Sequence, residues 1–330
     1  MNQEDIIMLA DYHVHTEFSD DSREPMEEQA KKAVSLGLKE MCFTDHVDYG
    51  IKKDWDEGNI EYRGGDGMGT PADEMEPMTN VDYPRYFEKF SRVKEEFARD
   101  ITLRCGLEFG VQVGTIPKYE ALFGKYADTL DFVLLSIHQV ENKEFWNQEF
   151  QQGRSQQEYN ERYYQEMYDV MKNFKHYSVL AHLNLISRYD KQGKYPFAAI
   201  RDMVAEILKL AIADGKGIEL NTSSWHYGLD DTMPARDILR LYKDLGGRII
   251  TIGSDAHSTR YLADHLEDAR AILRDEIGMK EIYTFKNMEP MGHKLCQGAL
   301  YIYRHGLQSA GDGEGGAERW FGRPSATPPT

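Results

Sequence analysis

Residues with ligand chemistry recur along this 330-residue chain at the ends of short β-rich runs. Asp11-Tyr12-His13-Val14-His15-Thr16 holds a His-x-His pair, Thr44-Asp45-His46 an Asp-His pair, and Gly106-Leu107-Glu108 a carboxylate. Ser136-Ile137-His138, Ala181-His182, Glu219-Leu220-Asn221 and Gly253-Ser254-Asp255-Ala256-His257 follow. Neutral imidazoles and carboxylates bind borderline divalent cations, and zinc, manganese and iron fit such a set equally well. On a strand, His-x-His puts both rings on one side, where they can grip one ion. A carboxylate such as Glu108 can bridge two ions. Two or three ions a few ångströms apart can clamp a phosphate and acidify a water between them. Each residue alone has a plain structural reading; their conjunction at successive strand ends does not.

The elements that must position these residues alternate in type. Strands are expected at Ile6–His13, Glu40–Thr44, Thr102–Phe109, Asp131–His138, Ser178–His182, Gly217–Asn221 and Ile249–Gly253, with Lys280–Phe285 as an eighth short strand. Helices are expected at Met26–Leu36, Tyr86–Arg99, Lys118–Ala127, Gln156–Asn173, Ala198–Ala213, Ala235–Leu245 and Ala263–Glu276. Strand–helix alternation argues for a parallel sheet, and seven units in one chain favour a closed or nearly closed barrel. All strand C-termini of such a barrel open on one face, where the fold does its chemistry. Asp48–Asp82 lacks periodicity and reads as a long functional loop on that face. Residues 1–308 form one barrel domain in this reading; residues 309–330, rich in Gly, Pro, Ala and Glu, form a tail expected to be disordered.

Composition narrows the partners. The formal net charge is −17, which repels long nucleic acid and anionic membrane, so an anionic substrate needs bound cations to draw it in. Cys42, Cys105 and Cys296 are too few and too widely spaced for a disulfide framework or a thiolate zinc site. The acidic opening Met1–Asp5 has no apolar signal core, and no run is long enough to span a bilayer. A cytoplasmic enzyme acting on a small phosphorylated molecule is expected. Of the remaining histidines, His176, His265, His293 and His305 read as structural, and His226 stays open between a structural and a substrate-binding role.

This set of motifs, in this order and over roughly residues 8–260, resembles the PHP (polymerase and histidinol phosphatase) superfamily. Within it, Glu219–Ser223, His182-x₅-Arg188-Tyr189 and Lys280–Lys286 are similar to segments of monofunctional histidinol-phosphatases. The resemblance implies a distorted (β/α)₇, TIM-like barrel with three divalent metal ions, hydrolysing L-histidinol phosphate. It implies that His13, His15, Glu108 and Asp255 hold the first ion and Glu108, His138 and His182 the second. His46, His257 and Asp21 would hold the third, with Asp20 the adjacent alternative to Asp21. Glu108, Asp45, Asp255 and His257 are the expected catalytic set, Asp45 by orienting a ligand His. Arg188, Asn221 and His226 are the expected substrate contacts, Arg188 as a fork-shaped donor to a phosphate oxygen. The acidic residues of the long loop, from Asp54 to Glu76, would face a cationic substrate. Asn184 departs from the family, where an Asp is common, and the tail has no counterpart.

Three competing readings remain at this level. Another PHP phosphoesterase, acting on nucleotides or short nucleic-acid ends, would be separated by a panel of phosphate esters. A metal-dependent amidohydrolase also begins with His-x-His but typically uses a strand-end Lys, which is missing after strands four and five. A decayed accessory module would fold without binding metal.

Overall fold

A computed structural model of the chain describes residues 9–63 and 76–295. Among them, seven strands form one parallel sheet in sequential order: β1 (Ala10–Val14), β2 (Glu40–Phe43), β3 (Thr102–Gly110), β4 (Phe132–Ser136), β5 (Val179–Leu180), β6 (Gly217–Asn221) and β7 (Ile250–Gly253). Parallel strands covered on both faces read as continuous apolar runs, as in Phe132-Val133-Leu134-Leu135 of β4. The ring closes by a bridge between Val14 and Ala256, with His15 N–H donating to Ala256 O (2.9 Å) and Asp255 N–H to His13 O (2.8 Å). This is the expected distorted (β/α)₇ barrel.

The helices wrap the ring: α1 (Met26–Ser35), α2 (Tyr83–Glu96), α3 (Ile116–Tyr126), α4 (Gln156–Asn173), α5 (Phe197–Ala213), α6 (Arg236–Asp244) and α7 (Leu266–Ala271). Local chemistry sets their starts. Ser155 and Glu158 form a reciprocal capping box on α4. Asp82 accepts from Arg85 N–H at the head of α2, and Pro84 occupies its first turn, so α2 starts earlier than the expected Tyr86. Outward strand residues such as Leu103, Leu107, Val133 and Ile218 pack with the helix faces in the main core.

Two elements differ from expectation. The eighth strand, β8 (Glu281–Lys286), does not join the barrel; it forms an antiparallel hairpin with β9 (Glu289–Lys294), which carries His293. The hairpin closes the end of the barrel where the strands begin: Tyr12 Oη accepts from Phe285 N–H (2.8 Å) and lies 3.1 Å from Phe285 O, and Asn287 N–H donates to Asp131 Oδ1 (3.0 Å). Residues of the 48–82 loop form short pieces rather than none, with Tyr62–Arg63 pairing antiparallel to Glu76–Pro77. The expected strand start at Ile6, Cys296, His305 and the tail boundary at 308 lie outside the described residues.

Inside the barrel the side chains divide into two layers. Ala10, Tyr12, Cys42, Phe132, Leu134, Val179, Ala181 and Phe285 form a separate apolar cluster. Above it, toward the strand C-termini, the inward residues are polar. A register shift in β1, three residues from Asp11 to Val14 against two from Met41 to Phe43, inserts one extra residue. Such a bulge changes strand phase, so Ala10 and Tyr12 fill the apolar layer while His13 and His15 also face inward.

Candidate metal centre

Glu108, fully buried on β3, is the hub of the upper layer. Its Oε2 lies 3.1 Å from His13 Nε2, 3.5 Å from His15 Nε2 and 3.0 Å from His46 Nδ1. Its Oε1 lies 3.0 Å from His138 Nε2 and 2.8 Å from His182 Nε2, and accepts from Ser136 Oγ (2.6 Å). His46 reaches this position because the short strand His46–Val47 runs beside Glu108–Phe109 in register. Asp255 Oδ1 stands opposite, 3.5 Å from His13 Nε2, 3.4 Å from His15 Nε2 and 3.7 Å from His257 Nδ1. Asp21 Oδ2 completes the mouth, 3.2 Å from His257 Nε2 and 3.6 Å from His46 Nε2. The rings of His15, His46 and His257 form a triangle, with His15 at centroid distances of 4.2 and 4.0 Å from the other two and those two 5.7 Å apart.

Six imidazoles and three carboxylates thus converge, and four overlapping trios have donor atoms within 4.8 Å of one another: His13/His15/Glu108, His13/His182/Asp255, His46/Glu108/His138 and His15/His46/His257. The donor set fits divalent cations on a direct observation. His15 Nε2 and His46 Nδ1 are buried and have no hydrogen-bond partner, although carboxylate oxygens lie close. A buried nitrogen left unsatisfied is costly, and a cation held by the same carboxylates would satisfy it.

Electrostatics agrees. Burial pushes the Glu108 carboxyl up, but His13, His138 and His46 outweigh it and hold it well below the usual range. Asp255 is depressed in the same way by His13, His15 and Arg188. His15 and His182 are pushed down, chiefly by burial, toward the neutral form that ligates. His138 goes the other way, to about 9: burial opposes protonation, and Glu108 and Asp48 outweigh it. Cations entering such a cluster replace shared protons, so their binding releases protons.

Backbone conformation is committed to the same end. His182 and Asp255 hold φ of 23° and 57°, unfavourable for residues with a Cβ. Glu219 Oε2 accepts from His182 N–H (2.9 Å), and Asp255 N–H is held by His13 O, so the surrounding bonds keep both residues in place. Gly253 leaves the room this requires, since a Cβ there would fall 2.3 Å from His13 Cβ and 2.4 Å from Glu219 Oε1.

All nine sequence-predicted metal ligands are therefore in one cluster. The other candidates lie around it. Asp45 touches no ligand imidazole; it accepts from Thr16 N–H (2.7 Å), Thr16 Oγ1 (3.0 Å) and Ser19 Oγ (2.7 Å), and Ser19 Oγ lies 3.1 Å from His15 Nδ1. Asn221 is fully buried behind the centre, donating to Glu219 Oε2 (3.1 Å) and Asp255 Oδ2 (3.4 Å). Arg188 is at the rim, its Nη2 donating to Ser223 Oγ (2.6 Å) and Asp255 Oδ2 (3.3 Å), its guanidinium 4.0 Å over the Tyr227 ring. Arg188 Nε is buried and unpartnered. His226 stacks on Tyr261 at 4.4 Å, and its pKa falls to about 4 through burial, with Arg188 and His257 adding to the fall and Asp255 opposing it. Asn184 Nδ2 donates to Ser187 Oγ (3.1 Å), within the turn that carries Arg188. His176, His265 and His293 pair elsewhere, with Glu120, Asp268 and Thr284.

Three residues were not foreseen. Glu219 Oε1 lies 2.7 Å from His13 Nδ1, a carboxylate orienting the ring from behind. Asp48 Oδ1 does the same for His138 Nδ1 at 2.8 Å, and Lys52 lies beside Asp48. Glu219 could have been found from strand alternation, being two positions before Asn221 on the same inner face.

With the geometry established, its relatives can be set beside it. A family model described as "PHP domain" matches residues 11–223. A histidinol-phosphatase of Lactococcus lactis is 29% identical over 289 residues, covering 84% of this chain and 95% of that protein. A protein of Thermotoga maritima described as a probable histidinol-phosphatase is 26% identical, covering 87% and 97%. Among solved structures, L. lactis histidinol phosphate phosphatase complexed with zinc, L-histidinol and phosphate superposes with a TM-score of 0.71 at 27% identity, over 86% of this chain and 99% of that one. The family match spans the strand ends that carry His13 to Asn221, with Asp255 and His257 of the last strand beyond it, and the chain belongs to the PHP domain family.

Proposed function

We propose that this protein is a metal-dependent histidinol-phosphatase, hydrolysing L-histidinol phosphate to L-histidinol and phosphate. The observation that carries the reading is the convergence of six imidazoles on Glu108, Asp255 and Asp21, with the Arg188 guanidinium at its edge. The likeness to a histidinol phosphate phosphatase crystallised with zinc, L-histidinol and phosphate supports the substrate.

Three divalent ions account best for the donors. His13, His15, Glu108 and Asp255 would hold one, Glu108, His138 and His182 a second, and His46, His257 and Asp21 a third. Zinc, manganese and iron all suit these donors. Bound there, the ions supply an acidified water as nucleophile and neutralise the phosphate oxygens. The protein's own groups do the rest. Arg188, buried and always charged, presents planar N–H donors to a phosphate oxygen, with its face held by Tyr227 and one edge by Ser223 and Asp255. Asn221 and Glu219 fix Asp255 and His13 from behind. Asp45 fixes the Thr16–Ser19 turn, and through Ser19 the ring of His15. His226, stacked on Tyr261 and close enough to feel the Arg188 charge, is the third substrate contact in this reading. We place the reaction in the cytoplasm, on the unpaired, buried Cys42 and Cys105; no described helix is long and apolar enough to cross a membrane.

The test is turnover of L-histidinol phosphate against nucleotides, short oligonucleotide ends and other phosphomonoesters, with metal analysis of the same preparation. A clear preference for L-histidinol phosphate, lost with the metal, is expected. A preference for nucleotides would overturn the substrate and leave the metal centre standing.

A further inference from the structure

Behind the ligands lies one buried cation that none of the chemistry above uses. We infer that Lys52 is a positioning residue that fixes metal ligands on two flanks of the centre at once. The inference rests on the proposed roles of His138 and Asp21 as ligands.

The contacts are specific. Lys52 Nζ lies 2.9 Å from Asp48 Oδ2 and 2.6 Å from Asp20 Oδ1, and the side chains of Lys52, Asp48 and Asp20 are only 6%, 6% and 3% exposed. A buried ammonium is tolerated where carboxylates meet it on more than one side. On the first flank, Asp48 has one oxygen taken by Lys52 and the other 2.8 Å from His138 Nδ1. A carboxylate pinned in this way accepts a hydrogen bond from Nδ1–H and leaves Nε2, 3.0 Å from Glu108 Oε1, as the ring atom that would face an ion. Space is reserved for the pair: a Cβ on Gly110 would fall 1.9 Å from Asp48 Oδ1 and 2.9 Å from His138 Nδ1.

On the second flank, Asp20 immediately precedes Asp21, whose Oδ2 faces both His257 and His46. Holding Asp20 therefore holds the turn that aims Asp21. Lys52 is itself fixed by the loop after β2: its N–H donates to Asp48 O (2.8 Å), and Asp48 N–H donates to Asn80 Oδ1 (2.8 Å). The two ends of the long acidic segment, near residues 48–53 and near residue 80, are thereby tied to the geometry of the metal site. A solvated surface lysine would have no such reach.

Lys52→Met tests this by removing the charge and keeping the bulk. In the metal-loaded protein we expect at least one ion per chain to be lost and the affinity for zinc, read by chelator competition, to fall about 10–100-fold. The ring ¹⁵N signals of His138 should lose their Nδ1–H signature. Lys52→Arg, which keeps the charge, should restore part of the affinity. Asp48→Asn and Gly110→Ala should reproduce the loss on the His138 side, and Lys52→Met should add less in the Asp48→Asn background than alone. Unchanged metal content, zinc affinity and His138 tautomer in Lys52→Met would overturn the inference, whatever the melting temperature does. If Lys52→Met does not fold, Lys52→Gln and Asp48→Asn carry the same readouts, and normal zinc binding with an unchanged His138 tautomer in both overturns the inference. None of these measurements uses histidinol phosphate. A wild-type protein that binds zinc but does not turn over that ester would overturn the proposed substrate alone.

Discussion

The two ends of the barrel interior are built by the same strands and held by opposite means. At the end where the strands begin, Ala10, Tyr12, Phe132, Leu134 and Val179 interlock under Phe285 of the hairpin, with Tyr12 and Phe132 edge to face at 4.9 Å. The polar group there is matched across neighbouring strands: Glu40 takes Arg104 Nε at 2.8 Å and the Tyr12 hydroxyl. At the other end imidazoles and carboxylates converge, and residues of other strands and of the loops hold them, as Glu219 holds His13 and Asp48 holds His138. The lower layer is stabilised by excluding water, and tolerates any filling of the right volume. The upper layer is a field of like and unlike charges whose donor set fits divalent cations. Damage at the two ends should therefore part cleanly into lost folding and lost metal.

Glu108→Gln should give the largest effect on the metal side. The amide keeps the shape but loses the charge that His13, His15, His46, His138 and His182 share, so bound metal and turnover should vanish together while the far-ultraviolet spectrum stays native. Normal metal content and turnover would remove Glu108 as the hub. Phe285→Ala is the counterpart at the other end. A buried aromatic lost from a packed core costs about 3–5 kcal/mol, which denaturant titration should register, with metal content unchanged in the folded protein. Loss of metal in this variant would mean that the two ends are mechanically linked.

Glu219→Gln sharpens the distinction inside the upper layer. The residue makes no contact with the proposed ion positions other than through His13, His182 N–H and Asn221, so metal affinity should fall about 10–100-fold without loss of the fold. Arg188→Ala should have the smallest reach. Losing one charged donor to phosphate should raise KM about tenfold with little change in bound metal. A fall in metal content would show that the 3.3 Å contact to Asp255 is its main role.

Much of this was legible beforehand because barrel geometry converts sequence position into spatial position. A ligand-type residue at a strand C-terminus has one face to occupy, so His13, His15, Glu108, His138, His182 and Asp255 could be gathered without a structure. The family resemblance also placed Asp21 ahead of Asp20 as the partner of His46 and His257, and the contacts agree: Asp21 faces both rings while Asp20 turns to Lys52. Less legible was what stands behind each ligand. Glu219 meets His13 across 206 residues and Asp48 meets His138 across 90, and local pattern carries no trace of a pairing that depends on two strands being brought side by side. The hairpin fate of Lys280–Phe285 was hidden for a similar reason: an apolar alternation specifies a strand, but not which edge it joins.

What the residues alone determined was the chemistry. Imidazole and carboxylate side chains keep their affinity for divalent cations in any fold, and strand periodicity already puts His13 and His15 on one side. What only the tertiary structure decided was order within that set: the bulge that turns His13 inward beside Tyr12, the hub position of Glu108, and the buried Lys52 behind two flanks. Those depend on register and on which loops meet over the barrel mouth, and both are settled by packing of the whole chain rather than by any segment of it.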